Sequence, residues 1–198
     1  FNFFRGISDT VTYWDLEIDI NGVFWVASSN GLYALEHVDD KLELVGHLFK
    51  GQFIDFLYRK DNEIWLWSES LGLRRIGVKR DTEERYALYS DSIDIGDDIK
   101  RPIPIFKDSN DRIWLRSEDN LIIYSVKSKK LVTHFNTDNG LSSSVQGIYE
   151  QPGVFWITTR ANGVIEVDKA SLKIIRQQER KDVTGHIISS VGFESSIW

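Results

Sequence analysis

The sequence predicts an all-β protein, a fragment of a β-propeller with about four four-stranded blades and part of a fifth. The first observation is a repeated hairpin, because "DINGVFWVASSNGLYALE" returns as "KDNEIWLWSESLGLRRIG", "DSNDRIWLRSEDNLIIYS" and "EQPGVFWITTRANGVIEV". The second is the spacing of its anchor tryptophans, which lie 40, 49, 42 and 42 residues apart, a mean of about 43. Propeller blades of four strands repeat at roughly 40 to 50 residues. The anchors are Trp25, Trp65, Trp114, Trp156 and Trp198.

The strand around each anchor is predicted to be buried on both faces. Successive side chains of a strand point to opposite faces, so the two neighbours of each tryptophan share the face that the tryptophan does not occupy. All of these neighbours are apolar, which is typical of a strand between two stacked sheets. In the four complete repeats they are Phe24 and Val26, Ile64 and Leu66, Ile113 and Leu115, and Phe155 and Ile157.

A hydroxyl and a tight turn follow each anchor strand and predict a hairpin in every repeat. The hydroxyl stands three residues after the tryptophan, at Ser28, Ser68, Ser117 and Thr159. The turn then ends at a residue that accepts a positive φ. That residue is Gly31, Gly72 or Gly163, with Asn120 in the third repeat.

The segments between the hairpins are also predicted to be strands. Residues 42–48, 85–90 and 131–136 are expected to end one blade, and residues 52–59, 101–108 and 145–150 to begin the next. Residues 1–198 are therefore predicted to form a single partial propeller. A β-sandwich and a β-solenoid stay open as alternatives, although neither requires the same tryptophan, hydroxyl and glycine at this interval.

Composition excludes several classes of function. The net charge of −6 argues against a nucleic-acid partner. The chain has no cysteine, which excludes disulfides and thiolate metal sites, and no apolar run long enough for a transmembrane helix. The absence of methionine leads us to expect a segment of a longer protein.

The repeat resembles the two-component regulator propeller repeat. The resemblance lies in the pattern D-x-x-G/N-x-[IVF]-W-[VIL]-x-[ST] followed by GL, and in the lead-in "FNTDNGLSSSVQGIYE". It covers essentially the whole chain, although the third repeat lacks the glycine and an insertion lengthens the blade before it. The resemblance implies the periplasmic sensor region of a Bacteroides-type hybrid two-component histidine kinase. It also implies a membrane-anchored, homodimeric parent protein that responds to an oligosaccharide.

Candidate ligand-binding residues are those that differ between the repeats. Two residues after the anchor the sequence has Ala27, Trp67, Arg116 and Thr158 in turn. Trp67 can stack on a sugar ring, and Arg116 or Arg160 can form a bidentate pair with a carboxylate or sulfate. In the alternative interpretation Trp67 fills the gap between blades and Arg116 pairs with a neighbouring acid. The hairpin turns add three further candidates, Asn30, Asn120 and Asn162.

No catalytic, metal or cofactor site is predicted. The histidines His37, His47, His134 and His186 do not have metal-ligand spacing. The polar residues before the anchors are interpreted as turn formers, because Asp and Asn side chains bond the local backbone. They are Asp19, Asp61, Asn62, Asp108 and Asn110. A propeller lyase or hydrolase of polysaccharides and a non-enzymatic protein-interaction scaffold stay open as alternative functions.

Overall fold

A computed structural model describes residues 4–5, 10–61, 63–80, 86–96, 99–118, 120–141, 143–160, 163–178, 192–193 and 196–197. The chain divides into two compact units, unit 1 over Phe1–Gly96 and unit 2 over Asp97–Trp198. The assignment of residues 1–198 to one partial propeller therefore stays a prediction.

The described part of unit 1 forms two sheets. Its strands are β1 (Phe4–Arg5), β2 (Tyr13–Ile18), β3 (Phe24–Ser28), β4 (Gly31–Val38), β5 (Lys41–Leu48), β6 (Phe56–Lys60), β7 (Glu63–Ser68), β8 (Gly72–Arg80) and β9 (Tyr86–Ser92). Sheet 1 has the order β1-β5-β4-β3-β2, in which β1 joins β5 in parallel and the other neighbours are antiparallel. Sheet 2 is the antiparallel meander β6-β7-β8-β9.

The described part of unit 2 forms two further four-stranded sheets and a short two-stranded one. Its strands are β10 (Ile103–Lys107), β11 (Arg112–Ser117), β12 (Asn120–Ser125), β13 (Lys130–Phe135), β14 (Val145–Gln151), β15 (Val154–Thr159), β16 (Gly163–Asp168), β17 (Ile174–Gln178), β18 (Gly192–Phe193) and β19 (Ser196–Ile197). Sheet 3 is the antiparallel meander β10-β11-β12-β13, and sheet 4 is the antiparallel meander β14-β15-β16-β17. A single 3₁₀ turn, Thr137–Asn139, precedes β14.

The predicted fold class is confirmed, because each complete repeat forms one four-stranded antiparallel meander with its anchor on the second strand. The predicted first and last strands of the blades are present as β6, β10 and β14 and as β5, β9 and β13. β6 begins four residues later than expected, at Phe56. The preceding segment instead bonds to sheet 1, where the backbone N–H of Ile54 donates to the carbonyl oxygen of Ser28 at 2.9 Å. The fifth anchor, Trp198, lies outside the described residues.

The apolar core of unit 1 joins its two sheets. Trp25 is fully buried and lies in one cluster with Ile64 and Leu66, the two neighbours of the next anchor. The face of sheet 1 that carries Trp25 therefore packs on the face of sheet 2 that does not carry Trp65. A second buried cluster, with Val26 and Leu35 among its members, covers the other face of sheet 1. Burial of the anchor strand on both faces is thus confirmed in this repeat.

Unit 2 repeats this packing with more aromatic contact. Trp114 of sheet 3 is fully buried, and its ring centroid lies 4.7 Å from that of Phe155 in an edge-to-face arrangement. Phe155 and Ile157, the neighbours of the next anchor, belong to the same cluster. Trp156 itself is only half-buried.

In each of the four complete repeats, a polar side chain that precedes the anchor tryptophan accepts a hydrogen bond from its indole N–H. The carboxylate of Asp19 accepts from the backbone N–H groups of Asn21 and Val23 through Oδ1, at 2.8 and 3.1 Å, and from the indole N–H of Trp25 through Oδ2, at 3.2 Å. Asp108 does the same for Trp114, at 3.0 Å. The turn-forming role predicted for both aspartates is confirmed, and the bond to the indole adds to it. Asn62 lies outside the described residues.

The remaining two anchors use other acceptors. The indole N–H of Trp65 donates to Glu63 at 3.2 Å, and that of Trp156 donates to Gln151 at 2.9 Å. A buried indole N–H requires an acceptor, so an acceptor side chain accompanies the tryptophan in each of the four complete repeats.

The hydroxyl group three residues after each anchor tryptophan is buried and donates to a backbone carbonyl oxygen. Ser28 and Thr159 donate to the carbonyl oxygens of Gly31 and Gly163 in their own hairpins, at 2.7 and 3.1 Å. Ser68 donates to the carbonyl oxygen of Phe53 at 2.7 Å, and Ser117 donates to that of Lys100. These hydroxyls tie each hairpin either to itself or to the segment that leads into its sheet.

The two hairpin glycines of unit 1 have positive φ values for the predicted reason, but their surroundings differ. Gly31 has a φ of +111°, and a Cβ there would lie 2.5 Å from the carbonyl oxygen of Leu48 and 2.8 Å from that of Phe49. Gly72 has a φ of +70°, and a Cβ there would meet no atom within 4 Å. Only the first position also excludes a side chain by close packing.

Candidate functional site

At one end of its strands, each sheet carries both the hairpin that follows the anchor strand and the segment that leads into the first strand. We call this end of the sheet the turn edge. In sheet 1 the backbone N–H of Ser29 donates to the carbonyl oxygen of Thr12 at 2.9 Å, and in sheet 4 that of Arg160 donates to Ser144 at 2.9 Å. The predicted ligand-binding residues that the structure describes lie on or next to hairpins of this edge.

An exposed aromatic pair, Trp14 and Phe53, stands at the turn edge of unit 1. Their ring centroids are 5.4 Å apart with an interplanar angle of 59°. The two residues are 54% and 45% exposed, although they contact each other. Aromatic side chains in contact at a surface offer apolar area that a ligand can bury.

A β-bulge places Trp14 outside the regular pairing of the sheet. Tyr13 pairs with Ser28 and Asp15 pairs with Ala27, so Trp14 is the extra residue on β2. Bulges turn a side chain away from its regular direction and often stand next to binding sites. Sheet 4 has the same bulge, where Gln146 lies between the paired residues Val145 and Gly147.

Sequence reasoning missed this aromatic pair because it compared only positions counted from the anchors. The available signal was composition. Two of the seven tryptophans, Trp14 and Trp67, are not anchors, and only Trp67 falls within the repeated hairpin. Phe53 gave no signal, because its exposure depends on the connection that precedes β6.

Acidic residues lie beside the aromatic pair on β2. Asp15 accepts from the backbone N–H of Leu16 through Oδ1 and from that of Leu57 on β6 through Oδ2, both at 2.9 Å. Burial, followed by the negative charge of Asp15, raises the pKa of Glu17, although Arg59 lies 3.9 Å away. Oδ2 of Asp15 thus ties the first strands of the two sheets together, while Oδ1 is bonded within β2.

Two predicted site residues lie in unit 1. Trp67 is half-buried on β7 and pairs across the sheet with Phe56 and Leu73. Asn30 is half-buried in the hairpin of sheet 1, where its amide nitrogen donates to the hydroxyl of Tyr33 at 3.1 Å. Its amide oxygen accepts from the backbone N–H of Gly51 at 3.0 Å. The side chain of Asn30 therefore joins the hairpin to the connection after β5.

The turn edge of unit 2 carries arginines. Arg116 is half-buried on β11, and its Nη1 donates to the carbonyl oxygen of Val145, the first residue of β14, at 3.3 Å. Burial lowers the pKa of Arg116, and the positive charge of Arg101 lowers it further. No carboxylate in the described part of the chain pairs with Arg116, so the acid partner of the alternative interpretation is absent there.

The remaining predicted site residues of unit 2 lie in its hairpins. Arg160 is exposed, and only its backbone position is fixed, by the bond to Ser144. Asn120 is half-buried and begins β12 opposite Ser117. Asn162 lies outside the described residues. The position two residues after the anchor tryptophan holds a buried residue in two sheets, Ala27 in sheet 1 and Thr158 in sheet 4.

Three of the four histidines lie within the described residues. His47 stacks on Tyr33 with centroids 4.1 Å apart and bonds through Nε2 to the carbonyl oxygen of Asn30 at 2.7 Å. His37 and His134 are exposed, and His186 lies outside the described residues. Among the residues that the structure describes, no group of three or more His, Cys, Asp or Glu side chains is placed to hold a metal ion. The same residues include no helix that is long and apolar enough to cross a membrane.

Solved structures share the fold of this chain at low sequence identity. The extracellular domain of a putative hybrid two-component system from B. thetaiotaomicron is 16% identical, with a TM-score of 0.58 over 89% of this chain and 24% of that one. The dihydro-heme d1 dehydrogenase NirN, in complex with DHE, is 13% identical, with a TM-score of 0.65 over 94% of this chain and 42% of that one. AztD of Citrobacter koseri is 12% identical, with a TM-score of 0.55 over 85% of this chain and 47% of that one.

These likenesses establish the fold and leave the family as a prediction. No protein-family model and no curated protein matches the sequence. The chain spans less than half the length of each of the three structures. At these identities the likenesses show the fold alone, and the predicted relation to two-component sensors stays a prediction.

Proposed function

We propose that this chain is the ligand-sensing propeller region of a hybrid two-component histidine kinase and lies in the periplasm. It binds an oligosaccharide and signals through the geometry of a homodimer of the parent protein. The proposal rests on the repeat pattern, on the fold shared with the extracellular domain of a putative hybrid two-component system, and on the chemistry of the turn edges.

The observation that carries the proposal is the exposed pair Trp14 and Phe53. Two contacting aromatic rings at 5.4 Å, each about half exposed, form an apolar surface bordered by the polar groups of the turn edge. Small-molecule sites combine apolar lining with a few placed polar groups, which is the combination that a sugar ring requires. The rings are already in contact with each other, so little side-chain entropy is lost when a ligand covers them.

Binding must favour one arrangement of the dimer for a signal to result. A ligand shifts an equilibrium between two states only by its difference in affinity for them. We therefore expect the oligosaccharide to change the association or the geometry of the homodimer in the same concentration range in which it binds.

The test is calorimetric titration of the full chain with a panel of neutral and acidic tetrasaccharides. We expect one of them to bind, and Trp14→Ala to weaken that binding by about tenfold or more, as for a buried aromatic contact. Phe53→Ala is expected to act in the same direction. The matched control is Ile175→Ala, which removes an equally exposed apolar side chain in unit 2 and should leave affinity unchanged.

Each alternative function gives a different result in the same experiment. Shortened saccharides in the recovered titrant, detected by chromatography, would favour a lyase or hydrolase and contradict a sensor without turnover. The absence of binding across the panel would contradict the proposal and favour a protein-interaction scaffold. Binding that survives both Trp14→Ala and Phe53→Ala would contradict the role of the aromatic pair.

A further inference from the structure

Arg116 has an environment that is unusual for a half-buried arginine. Such side chains are normally compensated by a carboxylate, because a desolvated charge is unfavourable without a partner. Here the described contact is one bond to a backbone carbonyl, that of Val145, at 3.3 Å. Burial and the positive charge of Arg101 both lower the pKa of Arg116.

A second arginine, Arg160, is joined through its backbone to the residue that precedes β14. Its backbone N–H is bonded to Ser144, the residue before Val145, so both arginines are anchored on consecutive residues of the same segment. In the described part of the chain the guanidinium of Arg160 has no carboxylate partner. The next residue, Gln146, is the bulge residue of β14, and its amide donates to the hydroxyl of Ser144 at 3.3 Å.

Overall composition does not explain this arrangement. The chain carries a net charge of −6, so acidic side chains are abundant, yet the described contacts of Arg116 include none of them. A guanidinium presents several N–H donors in a planar fork, and one bond to a carbonyl leaves most of that fork unused. The chemistry that completes such a fork is a planar or tetrahedral anion with several oxygens.

We propose that Arg116 binds an anionic oxygen group, a carboxylate or a sulfate, on a ligand of unit 2. That the group belongs to a saccharide rests on the proposed function; that the site binds an anion does not. The domain accordingly selects acidic oligosaccharides over neutral ones of the same length.

The first experiment tests the anion site alone. The full chain is titrated with sodium sulfate and with sodium acetate at constant ionic strength, and the Nε–Hε resonances of its arginines are followed by NMR. We expect a saturable shift at Arg116, and we expect Arg116→Gln to weaken sulfate binding at the remaining resonances of the segment by about tenfold. Arg116→Lys keeps the charge without the fork and is expected to recover only part of the affinity.

The control is Arg176→Gln, since Arg176 is exposed and lies 3.6 Å from Glu166 on the surface of sheet 4. It should change sulfate binding by less than about twofold. Equal, non-saturating shifts at Arg116 and Arg176, or an unchanged affinity in a folded Arg116→Gln variant, would overturn the proposal. Thermal unfolding of each variant shows whether it is folded.

The second experiment separates the anion site from the proposed function. Three probes are titrated: a hyaluronan tetrasaccharide, its carboxyl-reduced neutral form and a chondroitin sulfate tetrasaccharide. Preference for an acidic form that disappears in Arg116→Gln supports the proposal, and the two acidic probes show whether carboxylate or sulfate is preferred. Equal binding of the neutral form would support saccharide sensing and overturn the selection of acidic oligosaccharides. Binding of sulfate or acetate with no saccharide binding would support the anion site and contradict saccharide sensing.

Discussion

At the turn edge of unit 1 an exposed tryptophan, Trp14, occupies the bulge of the first strand, whereas the same bulge of unit 2 holds Gln146. The next paired residue is Asp15 in unit 1 and Gly147 in unit 2. The position two residues after the anchor tryptophan also differs, since it holds Trp67 in sheet 2 of unit 1 and Arg116 in sheet 3 of unit 2. At these compared positions unit 1 has tryptophan and aspartate side chains, whereas unit 2 has a glutamine, a glycine and an arginine.

The difference shows which parts of the repeat specify structure and which are free to specify a ligand. Anchor tryptophans, their indole acceptors and the buried hydroxyls are retained in all four complete repeats. The bulge residues Trp14 and Gln146 and the half-buried residues Trp67 and Arg116 vary in size and charge. Three comparisons between the units test this division.

The largest effect is expected for the anchors. Trp25→Ala in unit 1 and Trp114→Ala in unit 2 should each lower the free energy of unfolding by about 4 kcal/mol, because both side chains are fully buried between two sheets. Trp156→Ala should lower it by about 1–2 kcal/mol, since this anchor is half-buried. Urea denaturation followed by far-UV circular dichroism measures all three.

The control for the anchors is Trp14→Ala, which should change the free energy of unfolding by less than about 1 kcal/mol. Trp14 is 54% exposed, so its truncation removes little buried area. A loss as large as that of Trp25→Ala would show that Trp14 belongs to the core, and it would remove the basis for a binding surface at the turn edge of unit 1.

The aspartates that bond the anchors should differ between the units. Asp19→Ala leaves the indole N–H of Trp25 and two backbone N–H groups without acceptors and should cost about 2 kcal/mol. Asp108→Ala should cost more, about 3 kcal/mol, because it also leaves the mostly buried guanidinium of Arg112 without its partner at 2.6 Å.

Thermal unfolding of the two alanine variants and of Asp108→Asn tests this order. The asparagine variant keeps one oxygen acceptor and the shape of the side chain, so we expect it to lose less stability than Asp108→Ala. Equal losses for Asp19→Ala and Asp108→Ala would mean that Arg112 does not depend on the pair.

The smallest effects concern the dependence of stability on pH, where the units should respond with opposite sign. Burial opposes ionisation of Glu150, but hydrogen bonds from Lys169 and Ser109 outweigh it and hold the pKa of this carboxyl below its ordinary value. Its stabilising contribution is therefore present above the ordinary carboxyl pKa and is lost as the pH falls through the folded-state value. Glu17 has a raised pKa, so the stability linked to it is greatest at low pH and is lost as the pH rises through the folded-state value.

We accordingly expect Glu150→Gln to lower the free energy of unfolding at pH 7 by about 1 kcal/mol and to reduce the loss of stability below about pH 4. Glu17→Gln should produce a smaller change of the opposite sign at pH 7. Urea midpoints measured from acid to neutral pH check both. A Glu150→Gln variant that keeps the full acid sensitivity of the parent chain would contradict the assignment.

The fold could be predicted from the sequence because its information is local and repeated. The period of the anchors, the apolar residues beside each tryptophan and the hairpin glycines such as Gly31 each state the same structure several times. Arg116 and Trp67 were found because the repeats provide a frame in which they differ. Trp14 and Phe53 were missed, because their exposure depends on a bulge and on a connection that sequence periodicity does not reveal. For the aspartates that accept from the indoles, the sequence predicted the bonds to the turn backbone but not the bond to the tryptophan. A turn-forming aspartate gives no sign that its second oxygen bonds an indole N–H.

The two hairpin glycines of unit 1 bear on how such repeats diverge. At Gly31 any other residue would press a Cβ against the carbonyl oxygens of Leu48 and Phe49, whereas at Gly72 the space is open and only the positive φ resists replacement. Duplicated copies of one motif therefore tolerate different mutations, according to how closely the following connection approaches each hairpin. The third repeat, which has Asn120 where the others have glycine, shows that this position can be replaced in one copy of the motif. A repeat with an open hairpin can therefore carry a side chain at this turn, while one with a closed hairpin requires glycine.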